Sequence, residues 1–120
     1  MLALVVAQHS IVRDGLVAFL EASPEIDKIV QVEKAGPARD VVQVIQPDIT
    51  LLYNITLTND LMTLVAELKE ACACPLIAIV GSEEDRNVAI SYGADIAVLE
   101  GFPSAKLETH ITTLLRQIQK

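Results

Sequence analysis

Cys72 and Cys74, one residue apart in ACACP, are the nearest approach in this sequence to a metal or redox pair. Two thiolates need two further ligands to close a tetrahedral zinc site, and no other cysteine or histidine stands near them in the chain. They read as free thiols in a reducing compartment. The two histidines, His9 and His110, are far apart, and His110 falls in a helical pattern where a solvated imidazole is the ordinary state. The run GSEED at 81–85 offers three carboxylates. It reads as a solvated turn entering a helix, where negative charge suits the N-terminal dipole. Asn54-Ile55-Thr56 matches a glycosylation sequon, which has no consequence without a secretory signal.

Other chemistries lack their residues. Neither G-x-G-x-x-G nor G-x-x-x-x-G-K-[ST] occurs, and the five glycines are scattered, so no glycine-rich loop cradles a nucleotide phosphate. No G-x-S-x-G elbow is present. No close pair of carboxylates stands at the end of an apolar run. Nothing assembles a nucleophile, a base and an oxyanion site, so the expectation is a protein that is not an enzyme and holds no cofactor or metal.

The elements that would position any site alternate in type. Strand-like runs are expected at residues 2–7, 28–33 (KIVQVE, alternating as near a sheet edge), 49–53 (ITLLY), 76–80 (LIAIV) and 96–99. Between them lie helical patterns. The first carries Val12, Leu16, Phe19 and Leu20 and stops before Pro24, with Arg13 expected on its exposed face. The second opens at AGPARD, with Pro37 near its first turn, and closes before Pro47. The third carries Leu61, Leu64, Val65 and Leu68 behind a cap at Asn59 or Asp60. A short fourth helix ends at Gly93. The last, capped by Ser104, shows the stripe Leu107, Ile111, Leu114, Leu115 and Ile118.

Five βα units without repeat or linker give an α/β fold: a doubly wound, five-stranded parallel sheet of order 2-1-3-4-5, in one domain over 1–120. Hydrophobic residues make up 52% of the 120 and aromatics 3%, so the core must be aliphatic. No apolar run reaches the ~20 residues of a membrane span. The opening run has no basic segment before it, so a cytoplasmic location is expected. A net charge of −7 argues against direct contact with nucleic acid, which requires clustered Lys and Arg. Ligands of such a sheet sit outside the carboxyl ends of its strands. The residues there are Ala7 to Ser10, Tyr53 to Asn59, Val80 to Glu83 and Glu100 to Pro103.

Three stretches, in this order and spacing, resemble the receiver domain of bacterial response regulators of the NarL/FixJ, CheY-like class. HSIVRDGLVAFLEASPEI is similar to the first helix of that class, H-P-[IL]-V-R-x-G-L-x-x-[LF]-L. QPDITLL resembles its P-D-[IV]-x-L-L third strand, and ISYGADIAVLE its [AL]-x-x-G-A-x-G-Y-L-x-K segment. The resemblance covers the whole chain. It implies two Mg²⁺-binding acids after the first strand, where this chain has Ala7 and Gln8. It implies a phospho-accepting Asp at Tyr53, or at Asn54 with a shift of one residue. Val80 stands for the Ser/Thr that ends the fourth strand, Glu100 for the Lys that ends the fifth, and Ala97 for the switch aromatic.

All six positions, Ala7, Gln8, Tyr53, Val80, Ala97 and Glu100, depart from the pattern. The expectation is a degenerate pseudo-receiver that signals without phosphorylation. It would act by contact with a protein partner or as a homodimer, as the regulatory domain of a transcription factor. The alternative is a small-ligand sensor reusing the former phosphorylation pocket.

Overall fold

Apolar runs of four to six residues build four strands of the sheet, and the alternating KIVQV builds the other. In chain order the elements are β1 (Leu2–Ala7), α1 (Ile11–Ala22), β2 (Lys28–Val32), α2 (Ala35–Ile45), β3 (Ile49–Tyr53), α3 (Thr58–Ala71), β4 (Leu76–Val80), α4 (Glu83–Ser91) and β5 (Ile96–Leu99). This is a computed structural model, and it describes residues 1–7, 11–33, 35–53, 58–71, 74–99, 109, 111–113 and 116–117. Gln8, His9, Asn54, Cys72, Glu100, Ser104, Leu107, His110, Leu114, Leu115 and Ile118 lie outside the described residues, as do the side chains of Val12, Leu61 and Leu64.

The strands are all parallel, in the order β2-β1-β3-β4-β5. Every residue of β3 and β4 is buried, as the continuous apolar runs require of strands covered on both faces. Period-two alternation sorts the side chains into two layers. Leu4, Val6, Leu52, Leu76 and Ala78 pack with Val42 of α2, Val65 and Leu68 of α3 and Ala89 of α4. Ala3, Val5, Ile49, Leu51 and Ile77 pack with Leu16, Val17 and Leu20 of α1 and with Ile111. Helices thus cover both faces, which is the doubly wound arrangement. Ile111 is the one residue of the expected last-helix stripe that falls among the described residues.

The starts of the strands are set by aspartates. Asp48, just before β3, donates its N–H to the Leu2 carbonyl at 2.8 Å, and its Oδ2 accepts the Leu2 N–H at 2.7 Å. Asp95, just before β5, repeats this on Leu76, at 2.9 and 2.8 Å. Each aspartate closes a two-bond ring on the first residue of the adjoining strand, which fixes the register from the first pair onward. Lys69 Nζ adds an ion pair to Asp95 Oδ2 at 3.0 Å and donates to the Cys74 carbonyl at 3.0 Å.

The helix ends follow local chemistry. Gln46 closes α2 with φ 45°, and the two N–H groups of its side-chain amide reach the Ala71 carbonyl and, shared, those of Val42 and Gln43, so one side chain serves the C-termini of two helices. Pro47 then prevents further helix. α3 begins at Thr58, so Asn59 and Asp60 lie inside its first turn and do not cap it as expected; the helical hydrogen bonding starts one residue ahead of them. Ser82 caps α4, accepting the Asp85 N–H at 3.1 Å.

Gly93 ends α4 with φ 119°, while its N–H donates to Ile90 O and that of Ala94 to Ala89 O. That bond pair is a Schellman closure, which needs a residue free of Cβ strain. A Cβ there would also lie 3.1 Å from Lys69 Cγ. Gly93→Ala should therefore lower stability by about 1–2 kcal/mol, read as a shifted urea midpoint with unchanged slope.

Candidate functional site

The carboxyl ends of the strands bring Ala7, Tyr53 and Val80 onto one edge of the sheet, and Ala97, the second residue of β5, lies further back at the level of Ala78. Ala7 and Tyr53 are direct register partners across β1 and β3, and Tyr53 is paired on its other side with Ile79. Both are enclosed, at 0% and 4% exposure, and both belong to the layer under α1. Val80 and Ala97 are also buried, but they lie in the opposite layer, with α2, α3 and α4. Alternation explains the split: Tyr53 pairs with Ile79, so Val80, one residue on, turns to the other face. Ala97 is the register partner of Ala78, two residues before Val80, and so shares that face. The other two positions, Gln8 and Glu100, are outside the described residues.

The chemistry of these four side chains is sparse. Ala7, Val80 and Ala97 carry no polar atom beyond the backbone. Tyr53 supplies a phenol where three or more oxygen ligands with carboxylate charge would be needed to hold a hard divalent cation. Among the described residues, no group of three His, Cys, Asp or Glu side chains is placed to hold a metal ion.

A charge at this edge comes from a residue expected elsewhere. Arg13 was expected on the exposed face of α1; it is 8% exposed. Its Nη1 donates to the Ala7 carbonyl at 3.3 Å and faces Glu33 Oε1 at 3.5 Å, tying the first turn of α1 to the ends of β1 and β2. The reason is periodic. Arg13, Leu16, Val17 and Leu20 stand at i, i+3, i+4 and i+7, one buried stripe of a helix. The spacing was present in the sequence, but the residue type concealed it. Glu33, 63% exposed, faces Arg13 from the solvent side.

Two other expectations find their places. Glu83, Glu84 and Asp85 form the first turn of α4, the first two exposed, as expected for a solvated helix N-terminus. The Cys74 Sγ lies 3.5 Å from Thr50 Oγ1, against the layer packed by α2, α3 and α4.

No protein-family model matches the chain, and no curated protein matches it in sequence. Solved structures do. A two-component response regulator from Clostridium difficile superposes with a TM-score of 0.84 at 18% identity, covering 100% of this chain and 99% of that one. A LuxR-family two-component response regulator from a species of Aurantimonas gives 0.82 at 19% identity, covering 97% and 85%. The receiver domain of a DNA-binding response regulator from Colwellia psychrerythraea gives 0.81 at 20%, covering 97% and 98%. The fold of this chain is that of the receiver domains of two-component response regulators, CheY-like in strand order and helix placement. No helix among the described residues is long and apolar enough to cross a membrane.

Proposed function

We propose that this chain is a receiver-like regulatory module that signals by contact with a protein and accepts no phosphoryl group. The observation that supports it is the pair Ala7 and Tyr53, enclosed side by side at the ends of β1 and β3. Phosphoryl transfer to a receiver needs a carboxylate nucleophile with a hard cation beside it to neutralise the developing charge. A methyl group and a phenol supply neither. Gln8 offers a neutral carbonyl, and Glu100 in place of a lysine repels an incoming phosphate. Val80 and Ala97 remove the hydroxyl and the ring through which a phosphorylation signal would be passed on.

The consequence is a surface that does not wait on a phosphorylation event. The module would be active or inactive according to its partner's concentration, as the regulatory domain of a transcription factor whose DNA contacts are made elsewhere. The domain's charge of −7 suits that division of labour.

The test is intact-mass spectrometry after incubation with acetyl phosphate and Mg²⁺. The expected spectrum is unchanged. A hydroxylamine-labile adduct of one phosphate overturns the proposal.

A further inference from the structure

The geometry points to the free edge of β2 as the docking site of an extended basic segment of another protein, added to the sheet as an antiparallel strand. Among the described residues β2 is hydrogen-bonded to β1 alone, so its outer edge offers a row of backbone donors and acceptors. α1 does not cover that edge. A groove of about 240 Å³ remains between them, with Val17 and Glu21 on one wall and Asp27, Ile29 and Gln31 along the other. Ile29 packs toward α1 and is only partly buried, while Val30 and Val32 face the opposite layer.

The side chains on the α1 face of this edge choose the occupant. In alternation they are Asp27, Ile29, Gln31 and Glu33. Asp27 and Glu33 are 85% and 63% exposed; the first also contacts the Met1 amino group at 2.6 Å and the second Arg13 at 3.5 Å. Glu21 adds a third exposed carboxylate across the groove. Lys28 borders the groove but alternates to the other face.

Two of the two-fold registers open to a second copy fit poorly. Two-fold pairing that sets Val30 against its own copy places Asp27 of each copy against Glu33 of the other. Like charges directly opposite destabilise a strand pair. Shifting the register to centre on Gln31 sets Ile29 against the Glu33 carboxylate of the other copy. A foreign strand with Lys or Arg opposite both carboxylates, a branched apolar residue beside Ile29 and a polar residue opposite Gln31 satisfies all four positions. Antiparallel edge strands on otherwise parallel sheets are common, and main-chain bonding with alternate side-chain selection is an established mode of peptide capture. Glu33 meets Arg13, which also donates to the Ala7 carbonyl, so this edge adjoins the Ala7–Tyr53 pair at one residue, but the docking does not depend on how that pair is read.

The probe is a fluorescein-labelled peptide, acetyl-Arg-Thr-Gln-Thr-Ile-Thr-Lys-amide, titrated with the protein by anisotropy. Its controls carry Glu in place of the two basic residues, or N-methyl groups on one or the other alternate set of residues. The expected Kd is below about 1 mM, with the acidic peptide weakened about tenfold or more. One N-methylated set should lose binding and the other keep it, and amide exchange in β2 should slow on binding. Gln31→Lys, at an exposed position, should weaken the basic peptide without moving the urea midpoint. Absence of binding, indifference to both N-methylated sets, unchanged exchange in β2, or no effect of Gln31→Lys overturns the proposal. So does protection of β2 that rises with protein concentration alone, which identifies a second copy as the occupant.

Discussion

Replacing Tyr53 by aspartate will destabilise the domain by about 3–5 kcal/mol and will not create a phospho-acceptor. The ring is 4% exposed, between Ala7 and Ile79 in register, and part of the layer under α1. The substitution removes most of that volume and sets a carboxylate among apolar neighbours. The second acid that would share a cation with it is missing at Ala7. Urea unfolding measures the loss, and intact mass after acetyl phosphate and Mg²⁺ tests for the gain. Tyr53→Phe separates volume from hydroxyl and should cost no more than about 1.5 kcal/mol. An aspartate variant as stable as the parent, and phosphorylated, would show that the pocket is a receiver site lacking only its acceptor.

The second large effect lies at the opposite edge of the sheet. Asp48→Ala and Asp95→Ala should each cost about 1–3 kcal/mol, because each leaves the first N–H of a neighbouring strand without its acceptor. The two rings share no partner: one ties β3 to β1 at Leu2, the other β5 to β4 at Leu76. Their costs should therefore add, to about 2–6 kcal/mol in the double variant, a large fraction of the about 5–15 kcal/mol that holds an ordinary domain folded. Asparagine at either position keeps an acceptor oxygen and should recover most of the loss. For Asp95→Asn the lost ion pair to Lys69 is partly exposed, 25% and 41% for the two side chains, and such pairs contribute little. A double alanine variant with the parent's urea midpoint would remove the aspartates from any part in setting the register.

Much of this architecture was legible because buried parallel strands write themselves as unbroken apolar runs. β3 and β4 occupy the residues their runs mark, 49–53 and 76–80, and β2 shows the weaker alternation of an edge. Short connections and right-handed crossovers then leave few orders for the sheet. The pairing of Ala7 with Tyr53 follows from the strand order, and the turning away of Val80 follows from the period of two. Arg13 was hidden because an arginine among Leu16, Val17 and Leu20 is discounted by type, although its spacing places it in their stripe. Asp48 stood in the P-D of the third-strand resemblance and Asp95 in the GAD of the fifth, but nothing local gave either its role. An aspartate before a strand looks like any loop residue until the neighbouring strand, far away in sequence, supplies the N–H it accepts. α3 differs by a residue or two at its start, where hydrogen bonding and not the identity of the polar residue decides the first turn.

The aliphatic core has an optical consequence. The chain contains no tryptophan and two tyrosines, so its ultraviolet emission comes from two known places. Tyr53 is sealed at the end of β3, and Tyr92, 43% exposed, stands at the C-terminus of α4. A collisional quencher such as acrylamide reaches the second and is kept from the first. With Tyr92 changed to phenylalanine, the protein carries a single native fluorophore at the very edge where receivers take their signal. Any ligand, cation or partner that disturbs that edge is then visible in solution without a label.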